Sequence, residues 1–266
     1  MHIAVCIKQI LDPEISPRAF KIDPARKVAD PGTASLVIGP FDLNALEVAI
    51  QLKERHGGQV TALTLGSEKA KEALRRALAM GADAAVLIDE AQVAAKEPSV
   101  TARVLAAAIR KLGGVDLVLC GRQSGEWDFG QVGALLAEEL GMPFVPFVPR
   151  LDVVGNGLRL ERETDGGIAV VEAPRPCVAS ITNATDNQPR LPKVKDIMMA
   201  NRKPITVWGP ADLGLGAADV DEAANRLEVL DLFIPEVKSE CEFIDGEDGA
   251  EKGANLARKL LERKVI

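Results

Sequence analysis

The segment Val115 to Gly141, VDLVLCGRQSGEWDFGQVGALLAEELG, holds the residues best placed for chemistry: an apolar run, a loop with Gly121, Gly125 and Gly130, then a helical pattern. A glycine-rich turn between a parallel strand and a helix lets backbone N–H groups approach a phosphate, with the positive end of the helix dipole aimed at it. The spacing therefore makes this a candidate nucleotide phosphate loop. The same glycines also suit a tight strand–helix junction that binds nothing, and context has to decide. Asp128 reads as the helix cap, with Gln131 at capping-box spacing, and Gly141 followed by Pro143 ends the helix. Other chemistry finds little support. His2 and His56 are the only histidines and lack partners at ligand spacing, which excludes a zinc site or a histidine-based triad. Cys6, Cys120, Cys177 and Cys241 form no C-x-x-C pair and read as reduced thiols.

The elements that must position this loop alternate along the chain. HIAVCIK, VTALTL, AAVLI and VDLVLC read as strands, separated by helices from Asp42, from Ser67 and after Ser99; the helix after Asp128 leads to FVPFV. Such alternation predicts an α/β fold with a doubly wound parallel sheet. Asp42 and Ser67 are read as helix N-caps, and Gly81 as a C-cap. Prolines at 13, 17, 24, 31 and 40 break the rhythm and predict an excursion over the strand ends. After Arg150, DVVGNGLRLERE and GIAVVEA read as a β-meander that extends the sheet without a core of its own. CVASIT and PITVW add strands, with a short helix holding Ile197 and Met198 between them. Leu256, Leu260 and Leu261 recur at helical spacing near the end. The expected organisation is a nucleotide-binding domain over residues 1–232 and a C-terminal arm over 233–266.

Composition bounds the partners. With 47% hydrophobic residues in 266, the chain can bury a large core. A net charge of −7 without a Lys/Arg block argues against nucleic acid or an anionic membrane surface. No apolar run approaches the ~20 residues of a membrane span, and MHIAVCIKQ enters a strand directly, so a cytoplasmic protein without membrane insertion is expected.

KQILDPE, IGPFDLNALEVAIQLKE, RRALAMGAD, CGRQSGEWDFGQVG, RETDGG and NRKPITVWGPADLG, in this order, resemble the β subunit of electron transfer flavoproteins, above all the branch associated with nitrogen fixation and carnitine metabolism. The resemblance implies a Rossmann-like fold of adenine-nucleotide type. It also implies an electron carrier rather than an enzyme, paired with an α subunit that holds most of the FAD. Electrons would pass from an acyl-CoA-type or other flavin dehydrogenase to a quinone oxidoreductase, a ferredoxin or a flavodoxin. In this subunit the resemblance implies a structural AMP or, in electron-bifurcating members that use NADH, a second FAD.

Carried over by residue, the nucleotide pocket begins at Cys6. Gly39, Pro40, Phe41 and Asp42 match the segment against the adenosine, and Leu65 and Gly66 match the strand end opposite. The phosphate loop corresponds to Gly121, Arg122, Gln123, Ser124, Gly125, Asp128, Phe129, Gly130, Gln131, Val132 and Gly133. A dehydrogenase-recognition loop corresponds to residues 189–200, with Val194 and Ile197 as its apolar contacts. Departures are informative. Glu126, Trp127 and Phe129 replace smaller or more polar residues, and Val132 lacks a hydroxyl, so backbone amides and Arg122 must carry more of the anion binding. Glu126 would repel a phosphate unless it faces solvent or pairs with Arg122. The run EWDF favours AMP, while DLNALE and Gln-Val-Gly keep a second FAD open. An ATP-using enzyme of the same fold would want a pyrophosphate loop near the first strand, which CIKQILDPE does not supply. A stress-protein-like nucleotide module would fit only the early units.

Overall fold

A computed structural model describes all residues except 17, 31, 33, 94–96, 222–223 and 236–240. In chain order the first strands are β1 (His2–Cys6), β2 (Gln9–Leu11), β3 (Lys21–Asp23), β4 (Val28–Asp30) and β5 (Leu36–Ile38). Helix α1 (Pro40–His56) leads to β6 (Gln59–Gly66), α2 (Lys71–Met80), β7 (Ala84–Asp89), α3 (Pro98–Leu112), β8 (Leu117–Gly121) and α4 (Val132–Leu140). Then come β9 (Phe144–Val148), β10 (Arg150–Val154), β11 (Gly157–Thr164), β12 (Gly167–Pro174) and β13 (Cys177–Ile181). The chain continues through α5 (Val194–Ala200), β14 (Thr206–Trp208), α6 (Ala217–Val220) and α7 (Gly249–Glu262).

Seven parallel strands form the central sheet in the order β14-β7-β6-β1-β8-β13-β9. Strand alternation sends Ile3 and Val5 to one face and Ala4 and Cys6 to the other, so each face builds its own core. The first core includes Leu46 and Leu52 of α1 and Leu74 of α2; the second includes Val100 and Leu105 of α3 and Leu136 of α4. Both faces are covered, as near-continuous apolar strands require.

Several local expectations change. The meander β10-β11-β12 is a separate antiparallel sheet and does not extend the central one. Its inward residues Leu151, Leu158 and Leu160 nevertheless join the first core. Ser67 precedes a single 3-10 turn at Glu68–Ala70 and makes no side-chain cap, and α2 starts only at Lys71. Ser99 lies inside α3, whose N-cap is Glu97 and whose Pro98 supplies a preset φ. The excursion before α1 contains two antiparallel pairs, β2 with β5 and β3 with β4. Gly81 and Gly141 close α2 and α4 as expected.

The chain divides into two compact units, Met1–Leu230 and Asp231–Ile266. In the second, Asp248 caps α7 by accepting from Glu251 N at 2.8 Å, and Glu242 pairs with Lys259 and Arg263. No side chain of α7 is buried, and Leu256 and Leu261 are exposed. Among the described residues no helix is long and apolar enough to cross a membrane.

A buried polar knot fixes the segment after β13. Asn187 donates to Pro149 O and Thr182 O at 2.9 and 2.8 Å and accepts from Ala184 N and Asn44 Nδ2 at 2.8 and 3.0 Å. Asn187→Ala leaves these groups without partners and should destabilise the protein by about 2–3 kcal/mol. Urea unfolding would show this as a lower midpoint at unchanged m. A loss below about 0.5 kcal/mol, the range of ordinary surface changes, would show that the knot contributes nothing.

Candidate functional site

The chain leaves β1 toward β6 and β7, yet β8 lies on the other side of β1. In doubly wound sheets the crevice outside the carboxyl ends of two such strands is where ligands bind. Here it is a cleft of about 210 Å³. The ends of β1 and β8 supply Cys6, Ile7, Lys8, Cys120 and Gly121, and the loop into α4 supplies Arg122 to Ser124, Trp127 and Phe129 to Gly133. Leu65 closes it from β6, and Glu90, Val93, Glu97, Pro98, Thr101 and Leu105 form a further wall.

Asp42 lines the cleft as a buried side chain and is not a helix cap. The N-cap of α1 is Gly39, with Pro40 at the first helical position. The Asp42 carboxylate, in the first turn, accepts from Lys8 N at 2.8 Å and from Gly121 N at 2.9 Å. This contact explains the glycine at 121: an added Cβ there would come within 2.5 Å of Asp42 Oδ1 and 2.8 Å of Asp42 N. Gly133 has a similar reason, since a Cβ would lie 2.9 Å from Cys120 Sγ. Two glycines of the loop thus serve close packing, while Gly130 supplies a left-handed φ of 62°.

The backbone donors of the loop divide into two sets. Gly121 N is held by Asp42, Arg122 N donates to Ile181 O, and Asp128 N donates to Ser124 O. The first-turn amides of α4 have no intrahelical acceptor, and Gln131 at its N-cap makes no side-chain cap bond. Asp128 does not cap this helix. It has φ of 51° and accepts from Gln123 Nε2 at 3.1 Å. The helix start therefore keeps donors for an anion.

Glu126 is exposed, one of the two placements in which it would not repel a phosphate. Glu126 pairs with Lys8 at 2.7 Å, not with Arg122. The Arg122 guanidinium lies over Phe41 and Phe147, 5.3 and 5.0 Å from the ring centroids, and donates to Thr182 Oγ1 at 3.4 Å. Trp127 and Phe129 are half exposed and stacked, with centroids 5.9 Å apart. Burial, with Asp42 nearby, pushes the Cys6 thiol up to about 12 and Cys120 well above its ordinary value. Both stay protonated and unreactive.

Of the expected pocket residues, Gly39, Pro40, Phe41, Gly66, Gly125 and Asp128 do not line the cleft. Lys8 and the wall from Glu90 to Leu105 were not expected, although a sheet order with β6 and β7 beside β1 brings their following loops to this crevice. Val194 and Ile197 lie elsewhere. Residues 194–200 form α5, the short helix expected to hold Ile197 and Met198, and Leu191, Val194, Ile197 and Met198 are exposed on this stretch. Arg190 anchors it, bonding the buried Glu47 through Nε and Nη2 at 2.9 Å and Glu54 through Nη1 at 2.5 Å. These carboxylates push the Arg190 guanidinium further up, and the Arg190 hydrogen bond holds Glu54 below the usual range.

Burial pushes Asp42 up to about 6, against the two amides and the Lys8 charge that favour its ionised form. The folded-state value lies above that of the unfolded chain, so this group's contribution to stability is full below about pH 4 and is lost as pH rises through about 6. Asp42→Asn keeps one acceptor and turns an amide NH₂ toward the other backbone N–H, at a cost on the order of 1–3 kcal/mol at pH 7. In urea denaturation from pH 4 to 7, the gap between wild type and variant should be widest near pH 4. A gap that widens toward pH 7 would contradict this assignment.

Comparison with known proteins agrees with the fold. The family model described as "Electron transfer flavoprotein domain" matches residues 32–213. The caffeyl-CoA reductase-Etf complex subunit CarD of Acetobacterium woodii is 35% identical over 267 aligned positions, covering 100% of both chains. Electron transfer flavoprotein subunit beta of Clostridium acetobutylicum is 34% identical, again with 100% of both chains covered. Protein FixA of Azorhizobium caulinodans is 32% identical over 97% of this chain and 93% of its own. With full-length similarity joined to a parallel sheet that opens at β1 and β8, the chain belongs to the electron transfer flavoprotein family as a β-type subunit, an electron carrier rather than an enzyme.

Proposed function

We propose that this subunit holds an adenine nucleotide in the cleft at β1 and β8 and works as half of a heterodimeric carrier whose α subunit binds the redox-active FAD. The observation that carries this reading is the α4 start: donors without intrahelical acceptors at a cleft that Lys8 and Arg122 also line. The apolar wall of Leu65, Val93 and Leu105 suits a base, and the loop from Gln123 to Gly133 suits its phosphate. A bound flavin would supply the electron transfer, and this chain's residues bind and orient. Among the described lining residues, the cysteines and Asp42 are not arranged as an acid, base or nucleophile. Cys6 and Cys120 are buried thiols held protonated, and both Asp42 oxygens are occupied by backbone amides.

AMP is the first reading, because EWDF departs from the loop of bifurcating relatives. A second FAD is the other reading, favoured by the exposed Trp127–Phe129 stack at the rim, where a further planar ring could pack. Co-purification with the α-type partner, denaturation and quantification of released nucleotides distinguishes them. We expect about one FAD and one AMP per heterodimer. Two FAD without AMP would establish the second reading, and no nucleotide beyond the α-subunit FAD would refute the site.

The partners follow the same reading. Residues 233–266 form an arm for the α subunit, with the apolar Leu256 and Leu261 of α7 available to it. The exposed Leu191, Val194 and Ile197 receive a flavin dehydrogenase, and a quinone oxidoreductase, ferredoxin or flavodoxin takes the electrons onward. The buried free thiols Cys6, Cys120 and Cys177 suit a reducing cytoplasm. Val194→Asp should raise the KM for reduction by the dehydrogenase at least tenfold, with flavin and AMP content unchanged. An unchanged KM would place docking elsewhere.

A further inference from the structure

We propose that Lys8 is a phosphate-binding residue of the cleft held in reserve by Glu126, so that a phosphorylated nucleotide binds by taking the Lys8 ammonium from the Glu126 carboxylate. The inference rests on the nucleotide reading of the cleft and adds the residue that selects for a phosphate.

Lys8 follows β1 by two residues and lines the cleft. Its backbone is fixed, because its N–H donates to Asp42 at 2.8 Å and its carbonyl accepts from Gly39 N at 3.0 Å. Only the side chain can change partner. Its Nζ lies 2.7 Å from Glu126 Oε2, with the two side chains 45% and 31% exposed. Glu126 stands in the loop between the lining residues Ser124 and Trp127. The loop is shaped to approach the start of the chain closely, since a Cβ at Gly125 would lie 2.9 Å from Ile10 Cδ1. An acidic residue of the phosphate loop thus reaches across to the end of β1 and occupies its ammonium.

Arg122, the other cation among the described lining residues, is packed over Phe41 and Phe147. Lys8 can redirect its charge by rotating a four-carbon stem. Carboxylate and phosphate are alternative acceptors for one ammonium, and a phosphate monoester carries the larger charge. A solvent-exposed ion pair contributes little, so the exchange costs little. A nucleoside without phosphate has nothing to offer Lys8 and leaves the pair in place. Glu126 therefore takes back part of what Lys8 gives AMP and leaves adenosine binding untouched.

The test is calorimetric titration of the full chain with AMP and with adenosine, using wild type, Lys8→Gln, Glu126→Gln and the double variant, each checked for fold by circular dichroism. Glu126→Gln should tighten AMP about two- to fivefold, the loss of one exposed pair. Lys8→Gln should weaken AMP about tenfold. Adenosine affinity should not change, and the gain from Glu126→Gln should vanish when Lys8 is already Gln. An equal gain in both backgrounds would mean that Glu126 only repels the phosphate, and would overturn the exchange. Unchanged AMP affinity in all variants would overturn this inference alone, whereas no AMP binding by any of them would remove the nucleotide reading with it.

Discussion

The site depends on one carboxylate. Where the chain departs from β1 and β8 in opposite directions, a crevice opens, and the buried Asp42 ties its two sides together by accepting a backbone N–H from each. Its place in the first turn of α1 favours a negative charge, because the helix dipole is positive there. Burial works against that charge, and the two amides offset the cost. The arrangement leaves no room at residue 121 for a side chain. It also fixes the backbone of Lys8, so that its readily redirected ammonium starts from a rigid anchor.

Helix α1 extends this logic beyond the cleft. Its buried polar residues each hold a distant segment: Asp42 the ends of β1 and β8, Asn44 the Asn187 knot after β13, and Glu47, joined by the exposed Glu54, the Arg190 that precedes α5. One helix therefore places both the cleft and the exposed apolar stretch from Leu191 to Met198. Buried polar groups are costly unless satisfied, and these are satisfied by partners far away in sequence. A change in α1 would be felt at both places, which are otherwise built from different parts of the chain.

The period of the apolar runs made the parallel sheet and its covering helices legible in the sequence, and the glycine loop pointed to the crevice at β8. What stayed hidden was long-range pairing. Asp42 and Asp128 look like caps because capping is a local signal, while Asp42 bonds to residues 34 and 79 positions away. The meander strands were readable from their turns, but not their sheet, since alternation says which face is buried and not which strand is the neighbour. Lys8 and the wall from Glu90 to Leu105 were overlooked because membership of the cleft follows from strand order. Glu126 was recognised as a charge that needed a partner, and only the fold brings Lys8 to it.

The central claim is that the crevice at β1 and β8 receives an adenine nucleotide at the start of α4. Amide hydrogen exchange of the full chain with and without AMP, followed by mass spectrometry, tests it most directly. The account predicts added protection in peptides covering residues 6–8 and 121–134, with little change in the meander. Protection confined to other parts of the chain, or none at saturating AMP, would contradict it.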